Sequence, residues 1–172
     1  GGLTFCALIV MSIVAIVEIE RGELIKARVR MQHARSVIER SESAYGHAWV
    51  AILTACIEIG QARPNVADAL LAEGRNKVVA MIGEDAGVVA TLDFVHARAL
   101  LDLGRATEAS ALAARGLESA ARHGILTSLE QGLVASVASW RGAQDGPDEA
   151  KLSLVANAYP TRGASLLAAC KV

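Results

Sequence analysis

Five side chains in the first two-thirds of the chain have the chemistry to contact a ligand. Two aromatic rings and an imidazole lie in one short stretch, SAYGHAW at 43–49, as Tyr45, His47 and Trp49. An acid and a second imidazole follow, one helical turn apart, as Asp93 and His96. Because Tyr and Trp combine a large contact area with a polar tip, we take these five residues as candidates for a ligand- or peptide-binding surface.

The same five residues also have a structural explanation. Tyr45, Trp49 and Ile52 follow helical spacing, which is typical of side chains that fill the gap between stacked helices. Asp93 and His96 lie among apolar neighbours, where they would form a polar edge or a core histidine that a neighbour hydrogen-bonds. The sequence leaves both explanations open.

The sequence carries no signature of catalysis or of metal binding. Its three Cys and four His residues have neither Cys-x-x-Cys nor His-Glu-x-x-His spacing, so we expect no metal and no cofactor. Neither a G-x-S-x-G elbow nor a phosphate-binding loop occurs. Acidic pairs occur at Glu18–Glu20, Glu84–Asp85 and Asp145–Asp148, and the last two lie at the starts of predicted helices, whose free N–H groups they would cap. We expect no enzyme activity; an active site assembled from distant residues is the remaining alternative.

A repeat of about forty residues determines the elements that position these side chains. Four helices each carry a set of mostly small residues at a first position, at +4 and at +7, which lie on one helical face. The first positions are 40, 42 and 41 residues apart, which is typical of stacked helical hairpins. The sets are Ala27, Met31 and Ala34; Ala67, Leu71 and Gly74; Ala109, Ala113 and Gly116; and a weaker Ala150, Leu154 and Asn157.

The repeat predicts an all-α, tetratricopeptide-like, right-handed solenoid of about four antiparallel helix pairs. One domain covers 1–172, with repeats over approximately 3–41, 44–82, 85–123 and 125–157 and a C-terminal helix over 161–171. First helices are predicted over 3–20, 44–59, 85–103 and 125–141, and second helices over 23–41, 64–82, 105–123 and 147–157. The breaks fall at Gly22, at Gly60 with Pro64, at Gly83, Gly104 and Gly124, and at the loop 142–147, since glycine and proline end helices.

Several strings resemble known repeat proteins. LGRATEASALAARGLE at 103–118 resembles the turn and second helix of a tetratricopeptide repeat, although the unit here is longer than the usual length of about 34 residues. SAYGHAW, VVATLDFVHARALLDLGRATEA at 88–109 and LESAARHGILTSLEQG at 117–132 together resemble the helical-repeat region of MalT-like regulators of the LuxR family.

The resemblance implies a segment of a bacterial transcriptional regulator that lies between a nucleotide-binding module and a helix-turn-helix. Its expected role is to sense a small-molecule inducer or to bind a protein partner, without catalysis. The alternative is a free-standing tetratricopeptide-like scaffold that binds a peptide or partner protein. A chain that continues into a helix-turn-helix would favour the regulator.

Charge and cysteine usage limit the partners. Seventeen basic and eighteen acidic residues give a formal net charge of −1, so the chain has no global field for nucleic acid or an acidic membrane. The helix over 23–41 is basic, but Glu23 and Glu39 offset its charge and we interpret it as a solvated face. Its cations are Lys26, Arg28, Arg30, His33, Arg35 and Arg40. The cysteines are odd in number and far apart in the sequence, which favours a cytoplasmic location.

The apolar run Leu3–Val17 is too short for a membrane span, which needs roughly 20 apolar residues. A helix that is apolar all round is expected to be buried between two layers of neighbours. If the chain is cut from a longer array, the same helix becomes an uncovered end face. We therefore expect the isolated segment to self-associate through it.

Overall fold

The described part of the chain is built from helices. A computed structural model describes residues 2–123, and over this range it has six helices and no strands. They are α1 (Gly2–Glu20), α2 (Leu24–Ile38), α3 (Ala44–Gly60), α4 (Pro64–Ile82), α5 (Gly87–Asp102) and α6 (Ala106–His123). The all-α prediction is confirmed, and each predicted end of these six lies within three residues of the observed one.

Some predictions lie outside the described residues. These are the helices over 125–141, 147–157 and 161–171, the set beginning at Ala150, the breaks at Gly124 and at 142–147, and the pair Asp145–Asp148.

Three hairpins, α1/α2, α3/α4 and α5/α6, turn in the same way. Each turn contains one residue with positive φ: Gly22 (73°), Ala62 (56°) and Gly104 (74°). The N–H of the next residue reaches the carbonyl oxygen five residues back, from Glu23 to Glu18, Arg63 to Glu58 and Arg105 to Leu100, at 2.8, 2.9 and 2.9 Å. This hydrogen bond defines a Schellman C-cap. The three turns are 40 and 42 residues apart, as are the first three repeat positions.

The second turn differs from its prediction. Pro64 begins α4, as predicted. However, Gly60 is the last residue of α3, and Ala62 adopts the left-handed conformation. An alanine there loses about 1–2 kcal/mol to the clash of its Cβ with the backbone, which is why glycine is the usual residue at this position.

The small residues of the repeat sets let neighbouring helices approach closely. All three first positions, Ala27, Ala67 and Ala109, are buried. A Cβ on Gly74 would lie 2.6 Å from the Cβ of Ala51 on α3. A Cβ on Gly116 would lie 2.7 Å from the ring of Phe94 on α5. The helices of these two hairpins therefore meet at a seam that has no room for a larger residue.

Contacts between the hairpins extend the core along the chain. Each helix packs against the next one, and the first helices also contact each other, α1 with α3 and α3 with α5. One core cluster lies among α1, α2 and α3, and a second lies among α3 to α6. Trp49 packs against both clusters.

The first helix is not buried between two layers, so that prediction is wrong over the part of the chain that the structure describes. Leu8, Ala15 and Ile19 of α1 are buried against α2 and α3. A stripe on another face stays exposed because none of the described helices covers it; its large residues are Ile9, Val10, Ile13 and Val17. Among residues 2–123, no helix combines the length and the apolar character that a membrane crossing requires.

Replacing Ala62 with glycine is expected to raise the free energy of unfolding by about 0.5–1 kcal/mol. Glycine removes the left-handed strain of about 1–2 kcal/mol, and its larger entropy in the unfolded chain offsets part of that gain. Urea unfolding measures the difference. The matched control, Gly104→Ala, is expected to lower stability at the equivalent turn. A loss of stability in Ala62→Gly would contradict the turn described here.

Replacing Gly74 with alanine is expected to lower the free energy of unfolding by about 1 kcal/mol. A glycine-to-alanine change inside a helix ordinarily gains about 0.5–1 kcal/mol, but overpacking costs about 1–3 kcal/mol. The double variant Gly74→Ala with Ala51→Gly moves the methyl group across the seam and is expected to return close to the parent. Chemical denaturation of the parent, of the single variants Gly74→Ala and Ala51→Gly and of the double variant tests this; a stabilised Gly74→Ala would contradict the close contact between Gly74 and Ala51.

Candidate functional site

His47 is held in place at the start of α3. The hydroxyl of Ser43, the N-cap residue, accepts a hydrogen bond from the N–H of Gly46 at 3.1 Å. The buried imidazole of His47 places its Nε2 3.1 Å from the carbonyl oxygen of Ser41. A ring nitrogen must carry the proton to donate to a carbonyl, so this contact assigns the Nε2–H tautomer.

The surroundings of His47 favour the neutral form of its ring. Burial lowers the pKa of the imidazole below its ordinary value, and the contact with the Ser41 carbonyl opposes this. The positive charge of Lys77 also lowers this pKa, whereas Glu39 raises it. With Nε2 bound to Ser41, the other ring nitrogen of the neutral form is an acceptor.

A cleft of about 160 Å³ lies beside His47, between α2, α3 and α4. Its lining is partly apolar, from Ile38, Val50, Ala51 and Leu70. The charged residues that line it are Arg35, Glu39, Glu73 and Lys77, and Thr54 and Gly74 complete the lining with His47. One hairpin supplies the α2 wall and the next hairpin supplies the other two walls, so the cleft lies between two hairpins.

The charges at this cleft are incompletely paired. Arg35 lies 3.5 Å from the carboxylate of Glu39 and 4.0 Å from that of Glu73, measured between nitrogen and oxygen. The exposed ammonium of Lys77 has no ion-pair partner among the described residues. A cation beside an apolar wall fits a small molecule that carries an anionic group and an apolar body.

The two aromatic candidates point to different roles. Trp49 is half-buried and packs between the two core clusters, which matches its structural explanation. Tyr45, at the start of the same helix, is 46% exposed. Neither ring lines the cleft.

The buried carboxylate of Asp93 connects its own helix to two neighbouring helices. Its carboxylate accepts hydrogen bonds from Nε of Arg75 on α4 and from Nε of Arg115 on α6, both at 2.8 Å. Arg115 adds a second bond through Nη2 at 3.1 Å. The carboxylate of Asp93 thus ties α4, α5 and α6 together, which again matches the structural explanation.

His96 has a separate set of partners, although it lies one turn from Asp93. Its Nε2 lies 2.5 Å from Oδ1 of Asp68 on α4. The other oxygen of Asp68 accepts from Arg105 at 2.8 Å. Of the five sequence candidates, only His47 borders the cleft, and a ligand contact by any of the five stays a prediction.

The cations of the basic helix are largely paired. Glu23 pairs with Lys26 at 2.9 Å and Glu39 pairs with Arg35, as predicted for a solvated face. Two further arginines instead bind buried carboxylates on first helices: Arg30 reaches Glu18 at 2.6 Å and Arg28 reaches Glu58 at 2.7 Å. These two pairs tie α2 to α1 and to α3.

The acidic pair Glu84–Asp85 lies just before the start of α5, and capping of this helix by the pair stays a prediction. The N-cap residue is Ala86, whose own side chain makes no capping hydrogen bond. Glu84 lies 3.5 Å from Arg75, and Asp85 lies 2.9 Å from Arg122. Two arginines from α4 and α6 therefore hold these carboxylates beside the helix start.

Residues 2–123 contain no cluster of three or more His, Cys, Asp or Glu side chains that could hold a metal ion. Sequence reasoning missed Arg35, Glu73 and Lys77 as cleft residues, because they come from two different helices and no local pattern connects them. The recurring spacing of the repeat sets was the one signal that predicted α2, α3 and α4 to be neighbours.

Comparison with known proteins found no relative. No protein-family model, no curated protein and no solved structure matches this chain. The resemblance to MalT-like regulators therefore rests on the strings at 43–49, 88–109 and 117–132.

Protonation of His47 is expected to destabilise the folded chain. Burial holds its pKa below the ordinary value of 6.5, so the unfolded chain binds this proton more readily. The stability due to the neutral ring is complete above about pH 6.5 and is lost as the pH falls towards the folded pKa. Urea unfolding at pH 7.5 and pH 5.5 measures this loss.

The variant His47→Gln isolates this contribution. Glutamine keeps a side-chain N–H for the Ser41 carbonyl but does not titrate, so its loss of stability between the two pH values is expected to be smaller than that of the parent. His33 is exposed, and the matched control His33→Gln should keep the parent's loss. Equal losses in the parent and in His47→Gln would contradict the assignment.

Proposed function

We propose that this chain is a helical-repeat segment that binds a small molecule or a partner and has no catalytic activity. Three hairpins with the same turn, spaced by 40 and 42 residues, support a right-handed solenoid of about four antiparallel pairs. Because repeats of this kind contact mainly their neighbours, the space between two of them changes when their packing changes.

The cleft beside His47 is the observation that carries the proposal. It is formed by two successive hairpins, and its lining combines apolar side chains with the ammonium of Lys77. A small molecule with a carboxylate or phosphate group matches this chemistry. Because it would contact both hairpins, its binding would favour the arrangement of the two in which the cleft is formed.

This mechanism suits the sensor segment of a MalT-like LuxR-family transcriptional regulator, in which binding changes how the array contacts the rest of the protein. In that role the segment contacts an inducer or a protein and makes no direct contact with nucleic acid. We place it in the cytoplasm, because its three cysteines are far apart in the sequence and odd in number, which is more usual in a reducing compartment than in a disulfide framework.

The alternative is a free-standing tetratricopeptide-like scaffold that binds a peptide. The exposed ring of Tyr45 favours it, since a tyrosine on a first helix supplies contact area with a polar end. Under this alternative, short peptides would bind and the cleft would have no part in binding.

A thermal-shift screen of the purified chain against sugars, small carboxylates, phosphorylated metabolites and short peptides tests the proposal. A ligand that binds only the folded form stabilises it by about 2.7 kcal/mol at a hundredfold excess over its Kd. We expect a rise in Tm for an anionic class of small molecule, because Lys77 offers the unpaired charge.

Lys77→Ala is expected to abolish this rise, because it removes the cation of the cleft. The matched control is Lys26→Ala, an exposed lysine of α2 that pairs with Glu23 outside the cleft lining, and it should keep the full rise. If the rise in Tm persists in Lys77→Ala, the ligand binds at another site. A rise in Tm with peptides alone would favour the scaffold.

A further inference from the structure

The repeat brings five positions of the first helices into correspondence. The shifts of 40 and 42 residues that relate the turns at 22, 62 and 104 also relate α1 to α3 and α3 to α5. The five positions are Cys6, Ala7, Val10, Ile13 and Val17 on α1; Gly46, His47, Val50, Leu53 and Ile57 on α3; and Val88, Val89, Leu92, Val95 and Ala99 on α5.

The solvent exposure of these five positions distinguishes α1 from α3 and α5. All five are buried in α3, and all five are buried in α5. All five are exposed in α1, where Val10 is 60%, Ile13 56% and Val17 38% exposed. We call the five residues of α1 the open face.

Four other positions have the same burial in α1 and α3. Leu8, Ala15, Glu18 and Ile19 of α1 are buried, and so are the residues 40 positions later on α3, namely Ala48, Ala55, Glu58 and Ile59. The difference between α1 and α3 at the open face therefore does not come from a general loosening of α1.

On α3 these positions form the contact with the preceding hairpin. Val50, Leu53 and Ile57 belong to the core cluster that contains α1 and α2. The surface that receives them is the buried repeat stripe of α2, with contributions from α1; the stripe consists of Ala27, Met31, Ala34 and Ile38.

We propose that the open face binds a helical hairpin of the same repeat type, in the register in which α3 sits on α1 and α2. The occupant presents a second helix with a buried stripe at a first position, at +4, +7 and +11. Valine and isoleucine at the open face match the valine, leucine and isoleucine that fill this contact on α3, so the occupant's stripe is apolar.

One position defines which hairpin fits. A Cβ on Gly46 would collide with the side chain of Ile38, whose Cγ1 would be 3.1 Å away. The open face has Cys6 where α3 has Gly46. The occupant therefore needs a smaller residue than isoleucine at the position of Ile38, and an exact copy of α1/α2 fits less well than one with alanine there.

A tandem protein tests this inference on the complete chain. Residues 1–40 are repeated ahead of residue 1, with Cys6→Ser and Ile38→Ala in the added copy, so that the original α1 takes the place of α3. The rate at which a thiol reagent labels the original Cys6 is followed by peptide mass spectrometry. Labelling is expected to slow by about tenfold or more relative to the unextended chain, because it then requires local opening.

The matched control carries Val10→Asp and Ile13→Asp in the original unit. Both residues are exposed in the unextended chain, so the unextended control is expected to keep its Tm, while the tandem control should lose the protection of Cys6. Circular dichroism confirms that each protein is helical. The inference is overturned if the tandem protein labels as fast as the unextended chain, or if the aspartates leave the protection unchanged.

A second copy of this chain is the competing occupant, as expected from self-association through α1. In that case Cys6 of the unextended chain would become protected as its concentration rises, light scattering would report a dimer, and the two aspartates would abolish both. That result would also overturn the hairpin inference. The inference rests on the repeat register alone, so its failure leaves ligand binding at the Lys77 cleft untouched.

Discussion

The close approach of helix backbones within a hairpin is the constraint on which the rest of the structure depends. Gly74 faces Ala51 and Gly116 faces the ring of Phe94 with no room for a Cβ between them. Such a seam allows little sliding of one helix along the other, because protein interiors are close-packed. It thereby fixes Lys77, on α4, beside the cleft and Arg115, on α6, within reach of Asp93.

Buried carboxylates also fix how these helices are arranged, because each one pairs with an arginine of a neighbouring helix. Glu18, Glu58 and Asp93 are buried, and each is on a first helix and binds at least one arginine of a second helix. A buried carboxylate without a partner is costly, so an arrangement that separates these pairs is strongly disfavoured. Glu58 and Asp93 each reach an arginine of the preceding hairpin, which makes them links between repeats as well as within the core.

Sequence reasoning found what local patterns encode. The repeat sets and the glycines located six helices, because helical periodicity and helix-ending residues act over a few positions. The left-handed conformation of Ala62 was not predicted, because alanine ordinarily disfavours the conformation that this turn imposes. Sequence reasoning raised an uncovered α1 as one possibility but did not find which side is open, because a helix that is apolar all round carries no mark of which side is covered. His47 was found through its aromatic neighbours, whereas its cleft needs three helices that only the fold assembles.

The one-sided packing of α1 has a consequence for cooperativity. Among the described hairpins, α1/α2 borders one other hairpin, whereas α3/α4 borders two. In a linear array with nearest-neighbour coupling, the unit with fewer neighbours opens first. Opening of α1/α2 would remove Arg35, Ile38 and Glu39 from the cleft lining. If a ligand binds the cleft as proposed, order in the first hairpin and occupancy of the cleft are thermodynamically linked, and whatever stabilises one also favours the other.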